Sequence, residues 1–211
     1  MSLILLMRLL VVLSAIYCLI ALTVLVARTF SFGKWPRYAK AQGSSAKGIV
    51  YAFGQGMLPW EKESASKHLP TFFGGIAYHL GIFAALLIPA AGLLQIHLPD
   101  IADSVIRILI VIGLVSGIGL LIKRLTLPYM RFISCIDDYV ANVLVELLLL
   151  SALLATFHLA WCRVMMIVTI VLLLYIPMGK IRHCVFFFYS RILFGKFFGR
   201  RGTLPHPSIQ D

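Results

Sequence analysis

Six histidines and one deep acid are the residues whose types and positions could do chemistry in this chain. An ionisable side chain inside a membrane is costly and therefore a functional candidate by default. His68 and His79 lie eleven residues apart. On a helix that spacing is three turns plus about 20°, which puts both on one face roughly 16 Å apart. Pro70 places His68 in the first helical turn or just before a kink, because proline lacks the N–H that the ladder would use there. His183 follows the apolar run that ends in Tyr175-Ile176-Pro177-Met178-Gly179-Lys180, at the same level as His68. Two imidazoles from different helices at one level suit the axial positions of a haem b. His79 lies deeper and needs a partner of its own. His158 falls at the outer end of a span, His97 in a short loop before Pro99, and His206 between two prolines of the tail. Glu146 is the only acid deep within an apolar run, with Asn142 one turn before it on the same face. It either carries protons or faces a quinone headgroup, or else packs as a hydrogen-bonded carboxyl.

The elements that must position these groups are membrane helices. Of 211 residues 61% are hydrophobic and 13% charged, against roughly 45–50% apolar in soluble domains. That excludes a soluble globular fold, a disordered chain and a disulfide-stapled module. Five runs are long enough to cross a bilayer, near 2–27, 71–94, 104–122, 139–157 and 160–180. The expected fold is all-α: a five-transmembrane-helix bundle over residues 1–195 with a cytoplasmic tail over 196–211. The first run is too long for a signal-peptide core and no A-x-A site follows it, so it reads as an uncleaved span.

Charge sets the orientation. The segment from Arg28 to Lys67 holds seven Lys or Arg, that from Lys123 to Arg131 three, and that from Lys180 to Arg201 six, so 16 of the 19 fall on one side. The positive-inside rule then places the N-terminus outside and the C-terminus in the cytoplasm; the expected location is the inner (cytoplasmic) membrane. Arg8, Arg107 and Arg163 lie within apolar runs and are expected to snorkel. Gly113 and Gly117 form a GxxxG spacing, assigned to internal packing. The cysteines at 18, 135, 162 and 184 show no CxxC pairing and read as packing residues rather than a zinc or iron–sulfur site. No nucleotide loop, nucleophile elbow or HExxH is present.

At Gly75-Ile76-Ala77-Tyr78-His79-Leu80-Gly81-Ile82-Phe83, Asp137-Asp138-Tyr139 and Pro177 to His183, the chain resembles the cytochrome b (gamma) membrane subunit of respiratory nitrate reductases and of related sulfite-reduction and heterodisulfide-reductase-like complexes. The resemblance implies two b haems between spans two and five, and electron transfer between a membrane quinone and cytoplasmic iron–sulfur and catalytic subunits. It assigns His79 to the outer haem, and His183 with His68 to the inner one. The family's fourth ligand falls at Met165, and a thioether can ligate haem iron. His158, about 10 Å further out along a helix, is the rival, and a single haem is the third outcome. The competing readings are a haem-free membrane anchor or assembly subunit, and a small proton-coupled transporter using His and Glu146.

Overall fold

The computed structural model describes residues 3–33 and 39–204; His206 and the tail beyond Leu204 lie outside the described residues. Among the described residues there are helices and turns but no strand. The helices are α1 (Leu3–Phe30), α2 (Ser45–Phe53), α3 (Glu63–Ser66), α4 (Leu69–Leu94), α5 (Asp100–Thr126), α6 (Pro128–Ile133), α7 (Ile136–Ala155), α8 (Trp161–Tyr175) and α9 (His183–Arg200). Four of them, α1, α4, α5 and α7, are long and apolar enough to cross a membrane, and α8 with the helical segment beyond its break is a fifth candidate. Their outward faces are apolar: Leu19 and Ile20 on α1, Phe83 on α4, Val115 on α5 and Ile167 on α8 are all exposed. Continuous apolar surface of this kind belongs in lipid. The chain is a multi-pass membrane protein.

Each helix end follows from local chemistry. Pro70 occupies the first turn of α4, where its missing N–H costs nothing. Gln95 then takes the left-handed conformation (φ 57°) and the Ile96 N–H closes on the Ala91 carbonyl at 3.0 Å, ending the helix. Asp100 and Asp103 open α5, and Lys123 and Arg124 close it, each complementing the helix dipole. Asp138 in the first turn of α7 accepts the Cys135 N–H at 2.9 Å. The short turn from Thr156 to Ala160 makes α7 and α8 neighbours.

The fifth apolar run departs from expectation. The run 160–180 does not form one helix; α8 stops at Tyr175 after 15 residues, about 22 Å of helix against a hydrocarbon core of about 30 Å. Ile176 keeps helical backbone (φ −46°, ψ −52°), but Pro177 has no N–H to continue the ladder, and the Met178 and Gly179 N–H groups both turn back onto the Tyr175 carbonyl at 3.0 and 2.9 Å. A short 3-10 turn over Lys180–Arg182 leads into α9. Helix α9 runs through residues 195 and 196, where the sequence suggested that a tail begins.

The chain forms two compact units. One holds residues up to 21 and 70–181. Its core is Tyr78, Ala84 and Ala85 of α4, Ile106 and Ile110 of α5, Val145, Leu148, Leu149 and Ala152 of α7, and Met165 and Leu172 of α8. Here α4 and α5 cross glycine on glycine: a Cβ on Gly81 would lie 2.6 Å from the Gly113 Cα. Gly113 therefore packs internally, as its spacing suggested.

The other unit holds residues 22–69 and 182 onward. Here α2 lies against α9, again through glycines: a Cβ on Gly199 would meet the Gly48 Cα at 2.7 Å, and one on Gly195 the Ile49 Cα at 2.5 Å. The Ser44 hydroxyl caps α2 by accepting the Lys47 N–H at 3.4 Å. Leu58-Pro59-Trp60-Glu61, which reads as a helix start, forms a single 3-10 turn with proline at its first position. Cys18 is buried and Cys162 half-buried, but Cys135 and Cys184 are exposed and do not serve as core packing.

Candidate functional site

His79 stands on the exposed face of α4, one residue on from buried Tyr78. Its neighbours on that side are Ile76, Leu80 and Phe83, all exposed. The ring Nδ1 lies 2.7 Å from the carbonyl oxygen of Gly75, one turn back. With a carbonyl opposite it, Nδ1 carries the proton and Nε2 carries the lone pair, which is the metal-ligating form of a neutral imidazole. A hydrogen bond from the second ring nitrogen to a backbone carbonyl is also what orients most ligating histidines. Beside it the helix is bare: a Cβ on Gly74 or Gly75 would meet nothing within 4 Å. A flat ligand could approach the backbone there.

Neither candidate for the fourth ligand fits. Met165 is only 3% exposed and belongs to the core of the 70–181 unit; its carbonyl accepts the Thr169 hydroxyl at 2.8 Å. The thioether faces packed side chains, and a macrocycle beside it would displace that core. His158 is exposed in the turn between α7 and α8, where its Nδ1 accepts the Ala160 N–H at 3.2 Å. That bond fixes the proton on Nε2 and leaves the neutral ring no lone pair for iron.

His68 and His183 occupy corresponding places, each exposed where a helix begins. His68 immediately precedes α4, with its N–H on the Ala65 carbonyl at 3.1 Å, and so lies outside the helix that carries His79. His183 is the first residue of α9. Met165 lies on α8 and His183 beyond the break, in the second half of that bent helix pair. His97 is exposed, as expected.

The deep acid sits in a polar pocket of the core. Both Glu146 carboxyl oxygens and the Asn142 Oδ1 are buried without a hydrogen-bond partner among the described residues. The Tyr78 hydroxyl donates to the Asn142 backbone carbonyl at 3.5 Å. Gly117 makes the room, since a methyl there would overlap both the Glu146 Oε1 and the Tyr78 ring. Three helices thus contribute, α4 by Tyr78, α5 by Gly117 and α7 by Asn142 and Glu146. The sequence reading found the acid and the amide; the tyrosine and glycine are additional, and an i, i+4 Asn–Glu pair carries no trace of them.

A second cluster joins two of the motifs behind the family resemblance. Asp137 accepts the Tyr175 hydroxyl and, at 2.8 Å, the Lys180 N–H. Asp138 binds Lys180 Nζ at 2.6 Å and Arg124 at 3.2 Å. The paired acids that open α7 therefore fasten the segment leaving α8, and Gly179 gives the Tyr175 ring its space. Arg107, expected to snorkel, instead pairs with Asp103, reaches the Thr156 carbonyl at 3.2 Å and stacks 4.9 Å from the Phe157 ring centre. Compared with protein-family models, curated proteins and solved structures, the chain finds no match.

Proposed function

We propose that this chain is a haem b-carrying membrane subunit of a quinone-linked respiratory oxidoreductase in the inner membrane, passing electrons between the quinone pool and a cytoplasmic iron–sulfur partner of a catalytic subunit. In this reading it crosses the membrane five times, with α8 and the helical segment beyond its break as the last crossing, N-terminus outside and C-terminus in the cytoplasm. The observation that carries it is His79: a ring held in the ligating tautomer by Gly75, on an apolar outward face, beside a strip of bare backbone. A histidine facing hydrocarbon is expensive, and ligation to a large apolar cofactor offsets that cost.

A bound haem would supply one-electron transfer. The chain's own contribution is to orient and to protonate. The Gly75 carbonyl fixes the imidazole and raises its basicity as a donor. Exposed His68 and His183 are the remaining imidazoles that suit the inner position, whereas Met165 and His158 are not proposed as ligands. The Glu146 pocket gives the bundle a place to hold a proton, which quinone chemistry requires whenever electrons enter or leave.

The test is the reduced-minus-oxidised spectrum of the purified protein together with its haem content. Wild type should show a b-type α-band, and His79→Ala should lose the haem that His79 holds while keeping its helix content. Haem-free wild type would overturn the proposal. It would favour the second reading, a haem-free proton-carrying subunit or transporter, for which the buried Glu146 carboxyl speaks. Proton movement in proteoliposomes abolished by Glu146→Gln would then be the expected result.

A further inference from the structure

We propose that the pocket between α2, the turns over residues 55–62 and α9 binds the phosphate headgroup of an anionic phospholipid. The pocket has a volume of about 390 Å³ and its walls include Tyr51, Glu61, Lys62, Arg191, Phe194 and Phe198. Its charge is unbalanced. Lys62 and Arg191 both line it, and neither forms an ion pair among the described residues. Glu61, the acid in the wall, is turned to other partners: it accepts the Tyr51 hydroxyl at 2.7 Å and the Gln55 amide at 2.8 Å.

Arg191 is held in place without being neutralised. Its guanidinium donates to the Gly56 carbonyl at 3.5 Å and lies 5.8 and 5.9 Å from the ring centres of Phe187 and Phe194. Most of its five N–H donors are left for a ligand. Burial, and then the charge of Arg191, holds the Lys62 amine below its ordinary pKa, so the two cations stand close enough to act on one ligand. An arginine fork beside a lysine point charge suits phosphate oxygens.

The rest of the wall argues for a lipid over a free anion. Phe194, Phe198 and Leu204 supply an apolar side to the pocket, and along α9 Phe188, Leu193 and Phe197 are exposed. A phosphodiester would sit on the two cations while its glycerol and acyl chains follow the aromatic face of α9. Basic pockets at the membrane surface recognise anionic headgroups in this way. The inference rests on the membrane character of the chain and not on the haem proposal.

The test uses the full-length protein in vesicles of dioleoylphosphatidylglycerol and dioleoylphosphatidylcholine in equal parts, extracted in mild detergent, with retained lipid counted by native mass spectrometry. Wild type should keep phosphatidylglycerol in preference to phosphatidylcholine, and Lys62→Gln with Arg191→Gln should lower that retention by about tenfold, the effect of losing one to two charge-assisted contacts. Unchanged retention in the double variant overturns the site. A second measurement needs no variant: the melting temperature of delipidated wild type should rise with phosphatidylglycerol and not with phosphatidylcholine, and equal effects would refute the proposal. Inorganic phosphate at millimolar concentration is the remaining arm. If it stabilises wild type as much as the lipid does, and Arg191→Gln abolishes that effect, the ligand is free phosphate and the lipid assignment falls.

Discussion

Replacing Gly81 by alanine should separate α4 from α5, and the cost can be worked from the crossing. The new methyl would lie 2.6 Å from the Gly113 Cα and 2.8 Å from the Leu109 carbonyl oxygen. Both are backbone atoms, so no side chain can rotate aside. Ordinary carbon contacts are about 3.5–4.0 Å, so the helices must part by roughly 1 Å. A gap of that size forfeits a quarter to a half of the dispersion energy of each contact along the seam, and overpacking of this kind costs about 1–3 kcal/mol. Alanine recovers up to about 1 kcal/mol through helix propensity. The net expectation is a loss of about 1–2 kcal/mol. Gly92→Ala on the same helix is the control, because its methyl would meet nothing within 4 Å; it should be neutral or stabilising. Gly113→Ala, whose methyl would sit 2.7 Å from the Gly81 Cα, should cost about as much as Gly81→Ala. The double variant should then cost less than the sum, since one separation admits both methyls, with a coupling of about 0.5–1 kcal/mol. Reversible unfolding in mixed micelles, followed by circular dichroism, measures all four. Equal stability of Gly81→Ala and Gly92→Ala, or strict additivity at the crossing, would refute the close glycine contact.

Glu146→Gln should leave the fold as stable or add about 1 kcal/mol in the same assay, because it replaces a carboxyl buried beside Tyr78 with a neutral amide of the same shape; a clear loss would mean the carboxylate is well paired. Asp138→Asn removes both ion pairs at the start of α7. With Arg124 and Lys180 side chains 34% and 49% exposed, the loss should be about 1 kcal/mol and should shrink in high salt, which melts at two ionic strengths will show. Lys62 has a folded pKa below the unfolded 10.5. The unfolded chain therefore binds more protons between the two values, and stability should rise with pH through that window towards 10.5. Melting curves from about pH 8 upward should carry this slope, and Lys62→Met should lose it.

Spans were legible wherever apolar text alone decides, and their ends were misplaced wherever charge helps a helix. The run 104–122 grew to Asp100–Thr126 because Asp100, Asp103, Lys123 and Arg124 lower hydropathy yet suit the two ends of the dipole. The same holds at α7, which starts at Ile136 so that Asp137 and Asp138 fall in its first turn. Helix α8 failed for a different reason. Nothing between 160 and 180 forbids a longer helix except Pro177, and what fixes the exit is a tie to Asp137 and Asp138, about forty residues earlier. The packing of α2 on α9 is less legible still, since Gly48 and Gly195 acquire meaning only once the two helices meet.

Among the site residues, the local relations were readable and the non-local ones were not. His79 and Gly75 are an i, i−4 pair, so the ligating tautomer follows from helix geometry as soon as the helix is known. Met165 offered no such relation. A thioether in an apolar run serves equally well as an axial ligand or as a flexible core filler, and only the fold decides: Met165 is 3% exposed and belongs to the same core as the fully buried Leu148 and Leu149 of α7. Glu146 shows both limits together. Its depth was readable from hydropathy, because no other acid lies so far from a span end. The cleft that holds it was not, because that cleft depends on Gly117 lacking a side chain and on Tyr78 arriving from α4. The GxxxG pair on α5 therefore divides its work: Gly113 lets a backbone approach, while Gly117 makes space for an acid. A methyl at the first position would push two helices apart, and a methyl at the second would evict the carboxyl.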